Sequence, residues 1–221
     1  MLFKFMALDW RILKKNIYVV IIQLIAVTII GMTHPVLVLP FLTVLLTHYT
    51  AGIFALEDKS ELYNLYLMMP LKRCTIVKAR YLLSMIGALI AMIVGTPIML
   101  LCNRYGSSHY HGPFAWYLCI LAATYCVYAI SSLMIFPALF REPYGKAGTR
   151  GFLLPILILC TFFIAFMAVS VMPAYSSLTF DLLEFGKNNF GLTFVGLTVL
   201  ATFILIISYR RSQRLYAKRD F

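Results

Sequence analysis

No acidic side chain interrupts the long apolar runs of this sequence. All eight carboxylates, Asp9, Glu57, Asp58, Glu61, Glu142, Asp181, Glu184 and Asp220, fall in the connections between them. A proton-driven carrier depends on carboxylates inside its spans, so that class lacks its usual device. The phosphate-binding pattern G-x-x-x-x-G-K-[ST] is also missing. Gly145-Lys146 and Gly186-Lys187 lack the upstream glycine, so the chain is not expected to hydrolyse ATP. Neither G-x-S-x-G nor H-E-x-x-H occurs, which leaves an enzyme without a nucleophile or a metal site. We therefore expect no catalytic residue, no cofactor and no metal in this chain. The five cysteines, Cys74, Cys102, Cys119, Cys126 and Cys160, are scattered, odd in number and free of C-x-x-C spacing. That supports neither a disulfide framework nor zinc; Cys119 and Cys126 could share a helix face, where packing is their expected role. His109 and His111 stand one residue apart with no third ligand near, and read as part of an exposed loop. No internal repeat is visible, which weighs against inverted-repeat secondary transporters.

What is abundant is apolar surface. Hydrophobic residues make up 62% of the 221 and charged residues only 12%, where a soluble domain is nearer half and a quarter. The composition belongs in a bilayer, and at roughly 20 residues per span six spans fit and eight do not. The expected fold is all-α, an integral membrane domain of six transmembrane helices occupying residues 1–221. Residues 1–16 form an interfacial segment. Within it Phe3, Met6, Trp10 and Leu13 fall on one side of a helix, and Lys4, Arg11 and Lys15 nearly opposite. A cleavable signal is not expected, because no small-x-small site follows the first apolar run.

The spans are expected over residues 17–32, 36–56, 81–102, 114–135, 152–172 and 190–209. Residues 33–35 make a tight turn and 173–189 an external amphipathic segment. Residues 210–221 form a basic tail. The second span carries Thr47 and His48, candidates for lining a path because an ionisable residue inside a span is a functional candidate by default. The competing role for His48 is a neutral ring bonded to a neighbouring helix. In the third span Gly87, Ala91 and Gly95 recur every fourth residue, a smooth stripe for close helix packing, either within one subunit or between two. Seventeen of the nineteen Lys and Arg residues fall on one side of this six-span arrangement; Arg104 and Lys187 fall on the other. The positive-inside rule then puts both termini in the cytoplasm. The net charge of +11 sits between apolar runs, so anionic lipid headgroups, not nucleic acid, are the expected partner.

The longest charged break is residues 57–80, EDKSELYNLYLMMPLKRCTIVKAR. Asp58 and Glu61 have capping-box spacing, with Asp in place of Ser or Thr. A run rich in Tyr and Met follows, from Tyr63 through Tyr66, Leu67 and Met69, and Pro70 ends it. Such a helix suits a groove on another protein; the same residues also fit a loop lying on the membrane surface.

This stretch, with the opening MALDWRILKKN and the ending SYRRSQRLYAKRDF, resembles the permease subunits of bacterial type 2 ABC exporters, of the kind that move antimicrobial, toxin-like or bacteriocin-like peptides. The resemblance covers the layout of the whole chain. It implies that residues 57–80 carry the coupling helix that docks on a separate ABC ATPase subunit, and that Asp58, Glu61, Tyr63, Tyr66, Leu67, Met69, Lys72 and Arg73 are the coupling residues. It further implies that ATP and Mg are bound on that partner, that a second permease subunit, identical or different, completes the path, and that the site of action is the bacterial plasma membrane. The expected cargo is an amphipathic peptide or a lipid-like molecule. A stand-alone membrane immunity or binding protein, with no ATPase, is the alternative.

Overall fold

The computed structural model describes residues 9–11, 14, 17–60, 73–106, 114–141 and 189–218, and these are helical apart from short turns. Among the described residues five long helices occur in this order: α1 (Ile17–Thr33), α2 (Val38–Ser60), α3 (Arg73–Tyr105), α4 (Phe114–Arg141) and α5 (Phe190–Ala217). A single 3-10 turn at Pro35–Leu37 links α1 to α2, with proline at the start, where its missing N–H costs nothing. Gly31 lets this corner close, because a Cβ there would strike the Val38 side chain.

Among the described residues, four stretches are long and apolar enough to cross a bilayer: Pro35–Phe54, Cys74–Tyr105, Tyr117–Arg141 and Phe190–Ala217. The 17 residues of α1 are apolar but shorter. Helix α3, with 33 residues, is about 50 Å long at 1.5 Å per residue. The hydrocarbon core is only about 30 Å thick, so α3 must project beyond it.

That projection corrects several expected boundaries. Helix α3 begins at Arg73, eight residues before the expected start of the third span, and α2 continues through Ser60. The connection between them is thus 61–72, and Asp58 lies inside α2 and does not cap a new helix. No Gly or Pro separates Phe54 from Ser60 or Arg73 from Arg80, so nothing in the chain stops either helix where its charges begin. For the same reason α5 carries the start of the basic tail as helix to Ala217, and α4 continues to Arg141 with Pro137 accommodated inside it. The expected fifth span, the external amphipathic segment and most of the coupling helix lie outside the described residues.

Helices α2 and α4 end, and α3 begins, at one end of the bundle, hereafter the Arg80 end. The C-terminal part of α5 lies there too: Phe140 and Tyr216 meet with ring centroids 5.3 Å apart. Nearer the middle, the Cys126 thiol donates to the Leu197 carbonyl at 3.1 Å. Helices α4 and α5 therefore run parallel, and α5 starts at the end opposite to where α4 stops. A second core at that opposite end joins Val27, Leu39, Leu42, Ala91, Met99, Cys102 and Ile120. Large apolar side chains of α1, α3 and α5 face outward, including Ile22, Ile29, Ile93, Leu192 and Phe203. Ile130 is the single exposed large hydrophobic of α4 among the described residues, which makes α4 the central helix.

Candidate functional site

At the Arg80 end, side chains from four helices meet in an aromatic platform. Phe54 comes from α2, Tyr81 from α3, Phe136 and Phe140 from α4, and Tyr209 and Tyr216 from α5. Phe54 and Phe140 meet edge to face at 5.0 Å, Tyr81 lies 4.7 Å from Phe136, and Tyr81 and Tyr209 form a second edge-to-face pair at 5.5 Å. These are the offset geometries that ring quadrupoles favour. Arg80 is almost fully buried, with its guanidinium 4.1 Å from the Phe54 ring centroid and 6.0 Å from that of Phe140. Aromatic faces partly replace its hydration, which is what makes a buried arginine tolerable here.

Hydroxyls stitch the same place together. The Tyr81 oxygen lies 2.7 Å from Ser208 Oγ and 2.8 Å from Ser212 Oγ. Ser208 donates its own proton to the Ser132 carbonyl at 3.0 Å. A hydroxyl has one proton to give, so Tyr81 donates to Ser208 and Ser212 donates to Tyr81. The resulting chain joins α3, α5 and α4. Asp9 is fully buried and neither of its oxygens finds a hydrogen-bond partner among the described residues. Burial pushes its carboxyl from the ordinary 3.8 up to about 6, against the opposing pull of the Arg80 charge.

Next to the platform lies an open cavity of about 420 Å³ between α3, α4 and α5, walled by Tyr81, Tyr125, Tyr128, Tyr209, Met85 and Thr202, with Lys78 the one charged wall residue among the described residues. Tyr81 and Tyr209 belong to both cavity and platform. The Tyr128 hydroxyl donates to Ser84 at 3.4 Å, and Gln213 donates to the Tyr209 hydroxyl at 2.5 Å. The rings therefore offer the cavity mainly apolar faces.

The expected site residues are placed as follows. Glu61, Tyr63, Tyr66, Leu67, Met69 and Lys72 lie outside the described residues. Asp58 falls in the last turn of α2 and Arg73 is the first residue of α3, so both flank the connection, their side chains again outside the description. Gly87, Ala91 and Gly95 face α2 of the same chain. A Cβ at Gly95 would sit 2.9 Å from Leu39 Cδ2, one at Gly87 3.2 Å from Thr50 Cγ2, and Ala91 is buried in the core that includes Leu39 and Leu42. Thr47 is buried and donates to the Thr43 carbonyl of its own helix at 2.8 Å. The Nδ1 of His48 lies 2.9 Å from the Val44 carbonyl. A carbonyl only accepts, so that nitrogen carries a proton in this contact with its own helix. Neither residue lines the tyrosine cavity. Among the described residues no group of His, Cys, Asp or Glu could hold a metal ion.

The sequence reading missed Arg80 as a buried residue and the aromatic platform around it. The available signal was that Phe54, Tyr81, Phe140 and Tyr209 stand at the ends of four different apolar runs, all at the same expected depth.

A family model described as ABC-2 family transporter protein matches residues 5–217. The chain belongs to that family, and is thus a multi-pass membrane protein of the ABC-2 permease type, a class whose usual partner is an ATPase. No curated protein and no solved structure matches the chain.

Proposed function

We propose that this chain is the permease subunit of an ABC exporter in the bacterial plasma membrane, with six spans and both termini cytoplasmic, paired with a second permease and driven by two separate ATPase subunits. The observation that carries the reading, beyond family membership, is the platform at the Arg80 end. It clamps Phe54, two turns before the end of α2, to Arg80 and Tyr81, two turns into α3. The 61–72 connection is therefore held at both ends by one packed cluster. A push on it by an ATPase would move α2 and α3 as a unit instead of being lost in side-chain slack. Helix α4 stops at the Arg80 end and α5 starts at the opposite end, which supports a return crossing between residues 141 and 189, hence six spans. The chain has no ATP site of its own, no catalytic residue and no cofactor; ATP and Mg belong on the partner.

The cargo is an amphipathic peptide or lipid-like molecule. Supporting this, the cavity beside the platform has aromatic walls, a methionine and one lysine, and its volume falls in the range of ligand pockets, roughly 300–1,000 Å³. Tyr63 and Tyr66 are the expected anchors on the ATPase, since buried aromatics carry most of a small interface. Replacing both by alanine is expected to leave membrane insertion intact and to abolish ATPase co-purification and cargo-stimulated ATP turnover in nanodiscs. Full binding and coupled turnover in that variant would remove these residues from the coupling role. Absence of any ATPase from native-membrane pull-downs of the wild-type chain would favour the stand-alone immunity protein.

A further inference from the structure

On the other side of the bundle a second, more enclosed cavity lies between the N-terminal segment, α1, α2 and α3. Its walls are apolar side chains of three helices: Val20 and Leu24 of α1, Leu42 and Leu46 of α2, Ile90 and Val94 of α3. Gly87 opens it, having no side chain to project inward. Trp10, Lys14 and Tyr49 stand at the end nearer the N-terminal segment. From Thr50 to Leu42 the groove follows about 12 Å of helix, at 1.5 Å per residue. That is close to the depth of one leaflet, about half of a 30 Å hydrocarbon core.

We propose that this groove is a binding site for one anionic phospholipid, with an acyl chain between α1, α2 and α3 and the headgroup phosphate on Lys14. The walls can satisfy only an apolar chain, and among the described lining residues Lys14 is the single charge. Arg11, exposed and three residues earlier, adds a second cation, and no acidic residue lines the groove among those described. Trp10 and Tyr49 are the side chains expected at headgroup level. The groove opens among outward-facing apolar residues, including Ile17 and Ile90, so a lipid enters sideways from the bilayer without crossing a polar barrier. The site stands apart from the platform and the tyrosine cavity, and does not rest on the transport reading.

The test uses Trp10 as its own reporter. The chain has two tryptophans, and Trp116→Phe leaves Trp10 alone. The full-length protein is reconstituted in phosphatidylcholine vesicles, and a minor share of lipid is exchanged for phosphatidylglycerol or phosphatidylcholine brominated in the acyl chain. Half-quenching of Trp10 is expected at about tenfold less brominated phosphatidylglycerol than phosphatidylcholine, in keeping with two cations near one phosphate. Arg11→Glu with Lys14→Glu removes that preference while quenching by both lipids persists. Val94→Phe fills the groove and reduces selective quenching with both cations still in place, which separates a seated lipid from one merely attracted to a basic surface. Equal quenching by the two lipids in the parent overturns the proposal, as does selectivity unaffected by Val94→Phe. Quenching by neither lipid would place a protein segment in the groove and would overturn it equally.

Discussion

A single buried charge organises the Arg80 end. Arg80 belongs by sequence to a basic stretch, and a positive-inside count treats it as one more solvated cation. Its neighbours decide otherwise: Phe54 and Phe140 lie within reach of its guanidinium. No local pattern shows that, because the two rings come from positions 26 and 60 residues away in the chain. Asp9 was legible only as an acidic residue in an amphipathic segment, yet it is fully buried. Its carboxyl keeps a proton to about pH 6, where an ordinary one releases it near 3.8. Docking of the N-terminal segment thus takes up a proton between these values. Its contribution is greatest at low pH and falls as pH rises from about 4 to 6, by on the order of 3 kcal/mol at most. Hydrogen exchange of residues 1–16, corrected for intrinsic rates, is expected to show less protection at pH 7.5 than at pH 5. Asp9→Asn should flatten that difference. A wild-type segment equally protected at both pH values would contradict burial as the cause.

At the scale of elements, hydropathy carried the reading furthest where water and lipid meet abruptly. The first span was expected over 17–32 and the helix α1 is Ile17–Thr33, matching in bounds though shorter than the four stretches long enough to cross a bilayer. It fell short where helices outrun the bilayer, as at the start of α3, because charge marks the membrane boundary and not the helix boundary. The small-residue stripe was legible, but its partner was not: spacing alone cannot distinguish another subunit from α2 of the same chain. With the partner known, the glycines separate. Gly95 is the tighter of the pair in α3, since a new Cβ would press on Leu39. In α5, a Cβ added at Gly191 or Gly196 would meet nothing within 4 Å among the described residues. Gly95→Leu is therefore expected to lower thermal stability in detergent by about 2 kcal/mol or more through overpacking. Gly87→Leu should cost less, because Thr50 Cγ2 is its one close neighbour among the described residues. Gly196→Ala should be neutral or stabilising by up to about 1 kcal/mol, since alanine suits a helix interior better than glycine. Equal losses at Gly95 and Gly196 would show that the α2–α3 contact is loose.

For the whole molecule, the question is how force at one end becomes a path through the bilayer. The 17 to 2 split of basic residues predicts that a reporter fused after Phe221 is cytoplasmic and one inserted at Ser108 is external; a cytoplasmic reporter at Ser108 would sink the six-span arrangement. The sharper consequence concerns transmission. Arg80 lies between Phe54 of α2 and Phe140 of α4, and the adjacent Tyr81 reaches α5 through Ser208 and Ser212. Removing its charge while keeping an apolar stem of similar length, as in Arg80→Met, costs the cation–π attraction, about 1–2 kcal/mol for a desolvated site, and its pull on the Asp9 carboxyl. That is too little to unfold a bundle whose α4–α5 interface and other α2–α3 contacts are untouched. It does loosen α3 against α2 at the point where a push on 61–72 enters the membrane. Arg80→Met is thus expected to assemble normally, to bind the ATPase as the parent does and to support basal ATP turnover, while cargo export falls several-fold and cargo no longer stimulates hydrolysis. The control sits at the other end of the same helix, where Arg104 lies 5.7 Å from the Tyr105 ring centroid and is exposed. Arg104→Met removes a like charge from α3 with no aromatic clamp behind it, and is expected to leave export unchanged. Measured side by side in proteoliposomes, a parallel loss in both variants would assign the effect to charge on α3 in general. Normal export in Arg80→Met would show that the aromatic platform holds the helices together without transmitting motion between them.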